Sequence, residues 1–154
     1  MEWKKLITTL NPNYHMTSSR TFVDHYISKE VVFVCEQQLA ELKKHNNLTL
    51  IFDSTGTCKL QSLYTVYATT PEHVTHFLNG YEDSTVRHTV DWVKEKLFKT
   101  IHVVGADKWA AICSDSTTVT KNSRKEVAAA ILIILDLGDV CYHLQNTIKD
   151  ITKL

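Results

Sequence analysis

Leu48-Thr49-Leu50-Ile51-Phe52-Asp53 decides how the rest of the chain is read. A short apolar run with β-branched and aromatic residues suits a buried strand, and a carboxylate follows it at once. Trp109-Ala110-Ala111-Ile112-Cys113-Ser114-Asp115 repeats the pattern. An aspartate at the end of an apolar strand is costly to desolvate unless it meets water, a partner or a cation. Two such aspartates on neighbouring strands would repel, and a divalent cation between them would relieve the repulsion. The plainer alternative is local. Asp53 would cap the turn at Ser54-Thr55, and Asp115 would serve the loop before a helix.

Working outward, the segment after Asp53 reads as a β region. Ser54-Thr55-Gly56-Thr57 is a turn, and Leu60 to Thr69 is a long strand rich in Tyr, Val and Thr. Pro71-Glu72 reads as the next turn, and Val74–Leu78 as a third strand closed by Asn79-Gly80. Such short connections imply an antiparallel meander. Asp83 or Ser84 can then cap a helix to about Thr100, with Val86, Val90, Val93 and Leu97 as its buried stripe and Gly105 as its stop. A helical crossover of this kind places the Trp109–Cys113 strand parallel to an earlier one. If that neighbour is Leu48–Phe52, Asp53 and Asp115 end side by side at a carboxyl edge, where sites in α/β sheets collect.

Upstream, residues 1–19 read as a short helix and an irregular stretch turning at Asn11-Pro12-Asn13. Ile27, Val31, Cys35, Leu39 and Leu42 mark an amphipathic helix over about Thr21 to Lys44. Downstream, Ser123-Arg124-Lys125-Glu126 has capping-box spacing for a helix through about Leu135, and Val140 to Lys153 reads as a last helix. The whole is one α/β domain, 1–154. Its helical lead-in is 1–46, and its mixed sheet of three antiparallel strands plus a parallel one, flanked by helices, lies within 48–154.

Bulk properties narrow the function classes. The chain has 154 residues, 44% hydrophobic and 22% charged, as expected of one globular domain with a real core. Lys+Arg and Asp+Glu are both 17, which argues against a strong sequence-independent grip on nucleic acid. Cys35, Cys58, Cys113 and Cys141 contain no Cys-x-x-Cys pair and read as reduced thiols of an intracellular protein. No secretory signal is visible at the start, and the longest apolar run, Val127 to Leu135, is too short to span a membrane.

Other residues offer chemistry. A two-metal site for phosphoryl transfer normally needs a third acid, and Glu126 is the nearest by sequence. It also reads as the capping-box partner of Ser123. Lys121, Arg124 and Lys125 cluster at a helix start, where they could contact a phosphate or simply be solvated. Cys141 and His143 lie two apart, a poor spacing for zinc on a helix. Tyr64, Tyr67, Phe77 and Trp92 read as core or half-buried sheet aromatics.

Four stretches in order resemble the hAT-superfamily (hobo/Activator-like) DNA transposases, especially the fungal proteins with an associated domain of unknown function. They are Leu10-Asn11-Pro12-Asn13-Tyr14 with Ser18 and Thr21, the Leu48–Asp53 stretch, Ala111-Ile112-Cys113-Ser114-Asp115-Ser116-Thr117, and the segment from Cys141 to Ile151. The resemblance implies an RNase H-like core that binds Mg²⁺ or Mn²⁺ and cuts and joins DNA. Asp53 and Asp115 would be its first two catalytic, metal-holding acids. It also implies a nuclear location, DNA as partner, and a protein partner or second copy. Thr17, Ser19, Ser54 and Tyr142 depart from the family pattern. The family's third acid lies beyond an insertion domain that would begin near Leu154, so the expected state is a catalytically incomplete core. The alternative is a domesticated module that keeps the fold and binds protein or nucleic acid without chemistry.

Overall fold

A computed structural model describes residues 2–56, 62–82, 88–131 and 133–139. The chain divides into two compact units, Met1–Gln37 and Gln38–Leu154.

In the first unit, α1 (Glu2–Leu10) ends where the Asn11 side chain takes the Asn13 amide at 3.2 Å, the turn expected around Pro12. The Ser18 hydroxyl accepts the Thr21 amide at 3.0 Å and caps α2 (Ser19–Thr21). The helix widens to a π-helical segment, Phe22–Ile27, and continues as α3 (Ser28–Leu42). The expected single amphipathic helix is therefore interrupted. Ile27, Val31 and Cys35 are exposed, and only the far end of the stripe, at Leu39 and Leu42, reaches the core of the second unit. Val31-Val32-Phe33-Val34 places apolar residues on several sides of this helix, and all four are exposed.

The second unit is a five-stranded sheet in the order β3-β2-β1-β4-β5, from β1 (Leu48–Gly56), β2 (Ser62–Thr69), β3 (Thr75–Glu82), β4 (Trp109–Ser114) and β5 (Leu135–Gly138). β1, β2 and β3 form the antiparallel meander, while β4 runs parallel to β1 and β5 parallel to β4. This is the RNase H-like mixed sheet expected from the sequence, with β5 as an added parallel strand. The β2–β3 turn falls at Pro71-Glu72, where the Thr70 amide donates to the Val74 carbonyl at 2.9 Å. Asn79-Gly80 lies inside β3, not at its end.

Helix α4 (Val90–Val104) makes the crossover to β4, capped by Thr89. The expected caps Asp83 and Ser84, with Val86, lie outside the described residues. Gly105 stops α4 at φ 124°, a conformation that L side chains rarely adopt. Helix α5 (Thr118–Ala130) is capped by Thr117, so the expected start at Ser123 is corrected. Ser123 sits within the helix, buried, and its hydroxyl donates to the Val119 carbonyl at 2.8 Å. The helix ends near Ile131 because the following residues become β5. The last expected helix, Val140 to Lys153, lies outside the described residues.

The core lies between one sheet face and these helices. Leu48, Leu50 and Phe52 of β1, Tyr64, Val66 and Ala68 of β2 and Ile112 of β4 alternate onto that face. Val93, Leu97, Ile101 and Val104 of α4 and Val127 of α5 belong to the same core.

Candidate carboxylate site at the sheet edge

Asp53 is not the last residue of β1. It pairs with Thr65 of β2, and β1 runs on to Gly56. The last β1–β4 pair is Phe52 with Ser114, so Asp53 and Asp115 are the next residue on each of two parallel neighbours. The topology brings them together. Both line a cleft of about 280 Å³ with Ile51, Phe52, Cys113, Ser114 and Asp139.

The two carboxylates are held differently. Asp53 is exposed, and its Oδ1 accepts the Ser54 amide at 2.8 Å; Ser54, Thr55 and Gly56 pair with β2 as part of β1, so the expected turn starting at Ser54 is corrected. Asp115 is half-buried, and its Oδ1 accepts the Thr120 hydroxyl. The Asp115 carbonyl accepts the Ser114 hydroxyl at 2.9 Å and Arg124 Nη1 at 3.2 Å.

Arg124, one of the three cations of the basic cluster, turns inward. It is 4% exposed. Its Nη1 donates to the Ser114 carbonyl at 2.9 Å and the Ser114 hydroxyl at 2.8 Å, and its Nε to Asp136 of β5. The Ser114 carbonyl also accepts the Asp139 amide at 3.1 Å. One guanidinium thus ties α5, β4 and β5 together directly behind the cleft. Lys121 and Lys125 remain exposed on α5. Glu126 does not line the cleft. It meets Lys94 at 2.7 Å, and Lys94 also meets Asp91 at 2.8 Å, so the two carboxylates hold this ammonium above the ordinary lysine range.

The site also perturbs its neighbours. Burial pushes the Tyr64 phenol up, and the charge of Asp115 adds to the rise while Ser54 opposes it. Burial likewise raises the Cys113 thiol, with Arg124 opposing and Asp139 adding. Tyr64 is a core residue, edge-on to Trp92 at 5.6 Å, and Tyr67 meets Phe77 at 5.6 Å, as sheet aromatics should.

Asp139, Thr120 and Asp136 were not singled out from the sequence. Leu135-Asp136-Leu137 does alternate, the one signal of a strand there. Among the described residues no group of three or more His, Cys, Asp or Glu is arranged to hold a metal ion. Mg²⁺ can also be held by one or two carboxylates with waters and substrate phosphates, and the cleft has the carboxylates of Asp53 and Asp115 in its lining. Cys141 and His143 lie outside the described residues. No helix among the described residues is long and apolar enough to cross a membrane.

No known family model matches the chain. No curated protein matches it. Among solved structures, it is similar to a chain of the simian T-cell lymphotropic virus intasome in complex with PP2A regulatory subunit B56 gamma. The identity is 14% and the TM-score 0.44, over 68% of this chain and 38% of that one. It is also similar to human ENDOV at 10% identity and a TM-score of 0.43, over 70% of this chain and 58% of that one. The chain thus spans less than two thirds of either neighbour, and the fold assignment rests on its own strand order and direction.

Proposed function

We propose that this domain is the RNase H-like core of a DNA transposase of the hAT type, with Asp53 and Asp115 as its first two metal-holding acids. In an intact parent such a core cuts and joins DNA strands by in-line attack of water or a 3′-hydroxyl. The observation that supports this reading is the placement of Asp53 and Asp115 one step past the last β1–β4 pair, in one cleft. A bound Mg²⁺ or Mn²⁺ supplies charge stabilisation and an activated oxygen nucleophile. The chain's own residues hold and orient that cation, and Lys121 and Lys125 on α5 are the exposed cations available to a DNA phosphate.

Asp53 and Asp115 match two of the family's three acids, and Glu126 does not line their cleft, so metal binding without turnover is the expected behaviour of this chain. Titration with Mn²⁺, followed by the loss of the free-ion paramagnetic resonance signal, tests the site. Wild type is expected to bind, and Asp53→Asn and Asp115→Asn to bind more weakly. No Mn²⁺ uptake by wild type would overturn the site. Incubation with supercoiled plasmid and Mn²⁺ tests completeness. Nicking that Asp53→Asn abolishes would show the chain to be a complete nuclease.

A further inference from the structure

Thr117, Thr120, Ser114 and Arg124 form a connected set of hydrogen bonds around Asp115. Thr120 is fully buried in the first turns of α5, a position where a hydroxyl must find partners. Its Oγ1 lies within bonding reach of Asp115 Oδ1, and 2.7 Å from the Thr117 hydroxyl. A hydroxyl has one proton, and a carboxylate is the stronger acceptor, so that proton goes to Asp115. The Thr117 hydroxyl then donates to Thr120 and completes a short relay from the helix cap to the acid. The backbone at Asp115 is fixed as well, since Arg124 and the Ser114 hydroxyl both donate to its carbonyl.

We infer that Thr120 is a positioning residue for the Asp115 carboxylate, turning and holding it for cation binding while Arg124 fixes the backbone from which it projects. This rests on the metal-site reading of Asp53 and Asp115 and adds a residue that the reading does not contain. A ligating carboxylate that is itself hydrogen-bonded keeps one rotamer. Loss of such a partner typically weakens metal affinity by roughly 10–100-fold. Among the described residues, the bond that Asp53 Oδ1 accepts comes from the amide of the adjacent Ser54, not from a hydroxyl.

The test is Mn²⁺ titration of the full 154-residue chain by paramagnetic resonance, with far- and near-ultraviolet circular dichroism to report folding. Thr120→Val keeps the shape and removes the hydroxyl. Its expected Mn²⁺ dissociation constant is on the order of 10-fold above wild type. Thr120→Ser restores the hydroxyl and is expected to return the affinity and the bound-ion line shape to wild type. Should Thr120→Val fail to fold, Thr120→Ala, a better helix former, carries the same comparison against serine. Unchanged affinity in folded Thr120→Val or Thr120→Ala overturns the inference. So does equal weakening in the hydroxyl-free variant and Thr120→Ser, which would make the role one of packing. Absence of Mn²⁺ binding in wild type sinks the metal-site reading and this inference with it. Binding in wild type that Asp115→Asn weakens but Thr120→Val does not sinks this inference alone.

Discussion

Arg124 carries its charge where water scarcely reaches, and each partner it has belongs to the end of β4 or to β5. Removing one member of a buried ion pair leaves the other uncompensated, typically at about 3–5 kcal/mol. The Asp136 side chain keeps 30% of its exposure, so water offsets part of that loss. Arg124→Met is therefore expected to lower the unfolding free energy by about 2–3 kcal/mol, read from the urea midpoint at unchanged slope. Cys113 gives a second prediction. Its thiol is held up first by burial and then by Asp139. It should react slowly with a disulfide reagent at pH values where an ordinary thiol reacts readily, and Asp139→Asn should speed that reaction. Cys113 and Tyr64 both keep their protons to higher pH in the folded chain than when unfolded. Stability is thus undiminished below the ordinary thiol and phenol ranges and falls as pH rises through them, which melting temperatures measured across alkaline buffers would register.

Among the elements, Gly105 is the position where backbone geometry alone selects the residue. Its φ of 124° ends α4, and a Cβ there would meet Asp107 Oδ1 at 3.1 Å. Gly105→Ala is expected to cost about 1–3 kcal/mol, measured by thermal or urea unfolding. The elements that were legible from sequence share a property. β1 and β4 are central and parallel, buried on the helix-packed face, and their apolar runs are bounded by turns or acids. β5 was hidden because the apolar run that begins in α5 continues unbroken to Leu135, where the strand starts, and the strand is four residues long. Capping-box spacing pointed to Ser123 with Glu126 as the start of α5, whereas the helix starts from Thr117, whose hydroxyl accepts the Thr120 amide at 3.4 Å. What separates them is tertiary: Ser123 is buried, and its hydroxyl also reaches the Val90 carbonyl of α4 at 3.2 Å. The aspartate pair was readable because strand direction follows from crossover chemistry. The roles of Thr120 and Asp136, and the inward turn of Arg124, were not, because their hydrogen bonds join a loop, a helix and a strand at spacings that follow no helical or strand period.

The core of the described residues belongs to the second unit. Among the described residues every buried apolar side chain lies at Leu42 or beyond, with Leu39 packed against that cluster. A chain beginning at Gln38 is therefore expected to keep a cooperative thermal transition and the sheet's circular dichroism. A broad, non-cooperative melt would show that residues 1–37 carry more of the stability than their exposure indicates. The strand directions have a further consequence. β1, β4 and β5 all point their carboxyl ends at the edge that holds Asp53, Asp115 and Asp139, while the β2–β3 turn at Pro71-Glu72 leaves from the opposite edge. Thr49, which pairs with Thr69 beside that turn, stands four residues before Asp53, roughly 13 Å of strand at about 3.3 Å per residue. A fluorophore, tag or whole guest domain spliced between Pro71 and Glu72 would ride on the far rim of the sheet. It could report on the acidic edge, or tether it to a surface, without pressing on it.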